Sequence, residues 1–312
     1  MAEDGQGDDA GLQEGAGSLR RPIPGLLKGG MPAPVETLVR MLLTVAGLVS
    51  WGLAQGLFSS FLGPFRGFIP RYAATGFLGL LPLLLVWKLV PRVAGVLGCR
   101  RKLTAAASAG ALFIPFIVLG IGLGMVYQGV SSLWPLFALS LLLLAAMEEI
   151  ICRGFILDTL SFHGRRMTGL LLSSAVFAVL HMSNDFASPA GIINIFLAGM
   201  LFGLMRISTD GLWVPVAAHW LWNLMTGMVF GWSVSGHELM PAIFDPASAA
   251  PWGGFGPEES VLMTVGTLGG IAILLKDIYL PDDNQLSGVH GTSGHESEEI
   301  HSGSQTAGLE NG

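Results

Sequence analysis

Charge is what this chain has least of. Only 12% of its 312 residues are Asp, Glu, Lys or Arg, about half the share of an ordinary soluble domain. No basic cluster is interleaved with aromatic residues, which excludes a nucleic-acid-binding surface. Cysteine is nearly absent: Cys99 lies beside Arg100, Arg101 and Lys102, and Cys152 follows two glutamates. Two cysteines make neither a disulfide framework nor, alone, a zinc site. His-Glu-x-x-His does not occur, so this is no standard zincin, and no Gly-x-Ser-x-Gly elbow is present. The Gly-x-Gly spacings at Gly120, Gly122 and Gly124 follow no strand and lie in an apolar segment, so they form no dinucleotide loop. The N-terminus lacks the charged start, short apolar run and small-residue cleavage site of a removable leader, so the first apolar segment reads as a retained helix.

Apolar runs fill the space that charge leaves: 51% of the chain is hydrophobic. A membrane-crossing helix needs about 20 apolar residues. Eight segments come near that length, at roughly 38–62, 73–91, 104–127, 133–160, 167–183, 190–206, 211–232 and 260–280. The expectation is an all-α, polytopic membrane helix bundle of about eight transmembrane helices. It divides into a disordered polar tail (1–33), N-terminal membrane helices (34–130), the helices that hold the buried polar residues (131–232), an extracytoplasmic loop (233–259), a last membrane helix (260–280) and a disordered C-terminal tail (281–312). Arg20, Arg21, Lys28, Arg40, Lys88, Arg92, Arg153, Arg206 and Lys276 fall on one side, and Arg66 and Arg71 on the other. The positive-inside rule then puts both termini in the cytosol of a plasma or inner membrane. Gly199 and Gly203 form a Gly-x-x-x-Gly spacing suited to close helix packing.

Against this apolar background a few polar residues stand out. Glu148 and Glu149 are the only acids well inside an apolar segment, and of seven histidines only His181 and His219 are mid-segment. Intramembrane ionisable residues are costly and by default functional. Glu149 and Arg153 share a helix face at i,i+4, so Arg153 can neutralise Glu149. Glu148 is rotated by about 100° from its neighbour and can face a cavity instead, where a carboxylate can serve as general base for water. Phe177 and His181 share a face, as do His219 and Asn223. Donors on His219 and Asn223 suit an oxyanion, while His181 with Glu148 suits a held water, with or without a metal. Along the helix axes Glu148 and His181 come out level, about 24 and 25 Å from their shared turn; His219 is only about 12 Å beyond its own turn.

Glu148-Glu149-x-x-x-Arg153, Phe177-x-x-x-His181 and His219-x-x-x-Asn223, in that order, resemble the CPBP intramembrane protease family, which includes type II CAAX prenyl endopeptidases and Abi-type immunity proteins. The resemblance covers about residues 130–230. It implies an all-helical membrane protease in which Glu148 activates water, His181 positions it, His219 and Asn223 stabilise the oxyanion, and Glu149, Arg153 and Phe177 support them. It leaves the cofactor open between none and zinc or another divalent metal, which Glu148, His181 and His219 would ligate. The implied partners are the lipid bilayer and a membrane-associated peptide or protein substrate. Two alternatives are a non-enzymatic scaffold or immunity-type protein and an ion-coupled transporter using the buried carboxylates as a relay.

Overall fold

The computed structural model describes residues 33–61, 102–161, 166–238, 242–245 and 251–279. Helices dominate: α1 (Ala33–Phe61), α2 (Lys102–Gly122), α3 (Trp134–Glu149), α4 (Leu157–Leu160), α5 (Arg166–His181), α6 (Pro189–Thr209), α7 (Trp213–Asn223) and α8 (Val261–Tyr279). Four apolar stretches are long enough to cross a membrane: Thr104–Gly122, Trp134–Leu160, Pro189–Thr209 and Val261–Tyr279. Leu38–Leu53 and Arg166–His181 are shorter apolar helices. Large aliphatic side chains such as Leu53, Ile121 and Val261 stand exposed on the outside, where a bilayer would solvate them. The protein is thus a mostly helical integral membrane protein. The expected 73–91 segment, the N-terminal tail up to residue 32 and the whole C-terminal tail lie outside the described residues.

Two segment ends differ from the sequence reading. The 104–127 run stops being helical at Gly122. Gly124 takes a positive φ of 65°, which turns the chain so that Val126–Tyr127 (β1) pairs antiparallel with Phe244–Asp245 (β2). The 211–232 run begins as α7 at Trp213, after Asp210 closes α6 in the left-handed conformation at φ 52°. Ser208 and Thr209 at the end of α6 are buried, whereas Asp210 at the turn itself is exposed.

α6 is the organising helix, packed on α5, α7 and α8. Its start is well marked: Ser188 caps it, accepting from Gly191 N at 3.1 Å, with Pro189 in the first turn. The Gly199–Gly203 spacing does what it promises. A Cβ on Gly199 would stand 3.0 Å from Ser174 Cα, and one on Gly203 would run into the Leu170 side chain. Both glycines therefore let α5 approach α6 closely, bringing His181 and Phe177 toward the helix that carries Phe202. Leu157, Leu170, Leu201, Phe202 and Trp222 belong to one core cluster, and Met147, Ile151, Phe155 and Phe177 to another.

Candidate active site

Two of the three helices that carry motif residues, α3 and α7, pass directly into π-helical segments. α3 ends at Glu149 and gives way to a π-helical segment, Ile150–Ile156; α7 ends at Asn223 and gives way to Leu224–Val229. Wide turns of this kind shift the angular phase of the next residues along the helix and recur at functional sites.

Glu149 is fully buried. Its Oε1 accepts from Arg153 Nη1 at 2.8 Å and from His219 Nδ1 at 2.9 Å. Arg153, also fully buried, donates a further bond from Nη2 to Gly199 O at 3.1 Å. Its guanidinium lies 4.4 Å from the centre of the Phe177 ring and 5.5 Å from that of Phe202. Arg153 is thus neutralised on its edge and covered by aromatic faces, which is how a planar cation is accommodated away from water.

His219 is held as firmly. Its ring stacks on Phe202 at 5.3 Å and 16° and meets Phe177 edge-on at 5.8 Å and 89°. With Nδ1–H given to Glu149, Nε2 is the nitrogen turned to Glu148, whose Oε2 lies 3.7 Å away. That is too long for a hydrogen bond. Glu148 Oε2 is buried and has no hydrogen-bond partner, although the side chain as a whole is 21% exposed. His219 therefore meets both glutamates.

His181, the last residue of α5, sets Nδ1 2.7 Å from Phe177 O. A carbonyl only accepts, so Nδ1 carries the proton and the lone pair lies on Nε2. The two rings of the Phe177–His181 pair are 4.6 Å apart. Asn223 is buried, and its amide makes no hydrogen bond within the described residues.

His181, His219 and Asn223 line one cavity with Phe177, Ser235 and Glu258 among its other walls; its space of about 20 Å³ is room for about one water. Glu148 and Glu149 are not among its lining residues, but both reach His219, which is. The cavity's own carboxyl is Glu258, from the one-turn 3₁₀ helix Pro257–Glu259. The sequence reading placed Glu258 in an acidic outer loop. The available signal was an acidic pair directly before the last apolar helix, where an exposed helix-start carboxylate is the ordinary expectation. A zinc site built from His181, His219 and Glu148 would need all three donors within about 2.0–2.2 Å of one point. Among the described residues no group of three His, Cys, Asp or Glu is disposed to hold a metal ion, so no step through a metal is derived.

No curated protein and no solved structure matches the chain. Residues 130–225 match a family model described as Type II CAAX prenyl endopeptidase Rce1-like. The matched segment is just under a third of the chain, yet it contains Glu148, Glu149, Arg153, Phe177, His181, His219 and Asn223. Over those residues the chain is similar to the type II CAAX prenyl endopeptidase family.

Proposed function

We propose that the protein is an intramembrane endopeptidase that hydrolyses a peptide bond of a membrane-associated protein or peptide, with Glu148 activating the water. The observation that carries this reading is the unequal treatment of two adjacent carboxylates. Among the described residues, Glu149 Oε1 is spent on Arg153 and His219, although its Oε2 has no partner, whereas no donor reaches Glu148, whose buried Oε2 lies 3.7 Å from His219 Nε2. A carboxylate without a donor, next to an imidazole, is where a water proton would be taken. His181, through its Nε2 lone pair, orients the water. The free amide of Asn223, on the same cavity, donates to the oxyanion, since preset donors in a dry site stabilise developing charge strongly. Glu149 holds the His219 ring in place.

The chemistry is the addition of water to the scissile carbonyl carbon, with Glu148 accepting one water proton. A bilayer-embedded site suits substrates that arrive with an apolar anchor, and a prenylated protein is one such substrate.

The test is peptide release from membrane-anchored substrates in liposomes, comparing the parent with Glu148→Gln, each with and without a chelator. The expected result is a loss of at least about 10²-fold in the variant, with the fold intact by thermal melting. Undiminished cleavage by Glu148→Gln overturns the assignment. Loss of parent activity with chelator, restored by added metal, replaces the metal-free route with a metal-dependent one.

A further inference from the structure

Glu258 lies outside the family-matched segment, yet its carboxyl borders the cavity that His181, His219 and Asn223 line. Its placement is fixed from three sides. Asn194 on α6 donates from Nδ2 to Glu258 O at 2.7 Å and to Ser260 O at 3.0 Å, and itself accepts from Thr264 Oγ1 on α8 at 2.7 Å. Trp222, the residue before Asn223, donates from Nε1 to Glu258 Oε1 at 2.9 Å. Gly256, at φ 101°, turns the chain against Ser233 O, where a Cβ would overlap that oxygen. The side chain is 1% exposed, no cation pairs with it among the described residues, and Oε2 makes no hydrogen bond.

An anion buried this way is expensive. The neutral acid is the form this site suits, with its proton on Oε2 because Oε1 already accepts from Trp222. A merely structural tie between the Pro257–Glu259 turn and Trp222 needs only an acceptor, which a glutamine supplies equally well. What the carboxyl adds, beside a water-sized cavity, is a transferable proton. Burial pushes its pKa up from 4.5 to about 7, against the opposing effects of the Trp222 N–H, the backbone amides of Glu258 and Ser235, and His219. The other titratable groups on the cavity are His181 and His219; Glu259 on the same turn accepts from Ser188 Oγ at 3.2 Å.

We propose that Glu258 is a second catalytic carboxyl of this site, the proton donor to the departing amine. The assignment rests on the endopeptidase reading. Water oxygen bonds to the carbonyl carbon as Glu148 takes its proton. The C–N bond then breaks, its electron pair going to nitrogen, and Glu258 gives its proton to that nitrogen. The products are a carboxylic acid and an amine. The proton on Glu148 and the vacancy on Glu258 are exchanged through solvent water before the next turnover. Two carboxyls held in opposite protonation states by different surroundings is the usual arrangement for acid and base roles in one site.

The experiment compares parent and Glu258→Gln in liposomes on a matched pair of membrane-anchored substrates, a peptide amide and the corresponding aryl ester. An aryl oxide departs without protonation, whereas an amine does not. The amide-to-ester ratio of kcat is expected to fall about 10²-fold, with KM for both substrates little changed. Equal slowing on both substrates, or no slowing, overturns the assignment while leaving the endopeptidase reading in place. A parent inert on both substrates overturns that reading and this assignment with it. Should Glu258→Gln fail to fold, Glu258→Asp carries the same comparison. The acid is then kept but withdrawn by one methylene, so a ratio lower by about tenfold is expected, and equal slowing again overturns the proposal.

Discussion

The Nδ1 atom of His219 lies 2.9 Å from Glu149 Oε1, the same oxygen that takes the Arg153 guanidinium at 2.8 Å. One carboxylate oxygen therefore joins an ion pair on α3 and its π-helical extension to a ring on α7, across 70 residues of sequence. Structure and chemistry meet at Glu149, and the two can be separated by mutation.

Removing Glu149 alone leaves the Arg153 charge buried and unpaired, which costs about 3–5 kcal/mol. Glu149→Ala is expected to accumulate poorly and to melt well below the parent in detergent. Replacing both partners with apolar residues, Glu149→Leu with Arg153→Met, removes the unpaired charge and is expected to recover most of that stability. Cleavage is not expected to return, because His219 has lost the acceptor that fixes its ring. Melting curves and peptide release on the same three preparations decide the matter; a double variant as unstable as the single one would show that the pair itself carries the stability.

Packing at Gly199 couples helix distance to the site. Its missing Cβ would stand 3.0 Å from both Cα and Cβ of Ser174, and a backbone atom does not swing aside. Gly199→Ala is expected to push α5 outward at a cost of about 1–3 kcal/mol. It would also lower turnover, since His181 rides on α5. The same substitution at Gly52, where nothing lies within 4 Å, is the control and should favour the helix slightly. Comparable losses in both variants would show that the effect is not the close approach of α5.

Glu258 gives stability a pH dependence of definite sign. Its pKa is raised from 4.5 to about 7, so between those values the folded state holds a proton that the unfolded chain releases. Its contribution is fully present below about 4.5 and is lost as pH rises to about 7, an effect on the order of 3 kcal/mol. The parent is expected to lose melting temperature from pH 5 to pH 8 relative to Glu258→Gln, whose side chain does not titrate. Parallel curves over that range would show that Glu258 is ionised in the fold throughout.

Much of the site was legible because a membrane makes polar residues conspicuous. Glu148, Glu149, His181 and His219 stood out from apolar neighbours, and the i,i+4 rule paired Glu149 with Arg153 correctly. Two features were not legible. The π-helical turns after Glu149 and Asn223 are changes of hydrogen-bond phase, which residue type does not encode. Glu258 comes from a Gly- and Pro-rich connection, and its position is set by Asn194, 64 residues away. Local pattern finds residues that are unusual where they stand, but not an ordinary loop acid carried to a site by distant contacts.

Phe177 is the residue on which the whole cluster leans. Its ring is 4.4 Å from the Arg153 guanidinium, 4.6 Å from His181 and 5.8 Å from His219, and its carbonyl takes the His181 Nδ1–H. Backbone substitution is not needed to test this, because the carbonyl survives any side-chain change. Phe177→Ala removes a 2%-exposed ring and is expected to cost about 3–5 kcal/mol from the cavity left behind. Phe177→Leu fills most of that volume but offers no aromatic face to Arg153. It is expected to lose only about 1–2 kcal/mol while turnover falls further than stability does. The two effects are separated by measuring melting temperature and kcat at a temperature where both variants remain folded. If Phe177→Leu keeps parent turnover, the ring serves only to fill space, and the orientation of His181 and His219 must come from Phe202 and Glu149 alone.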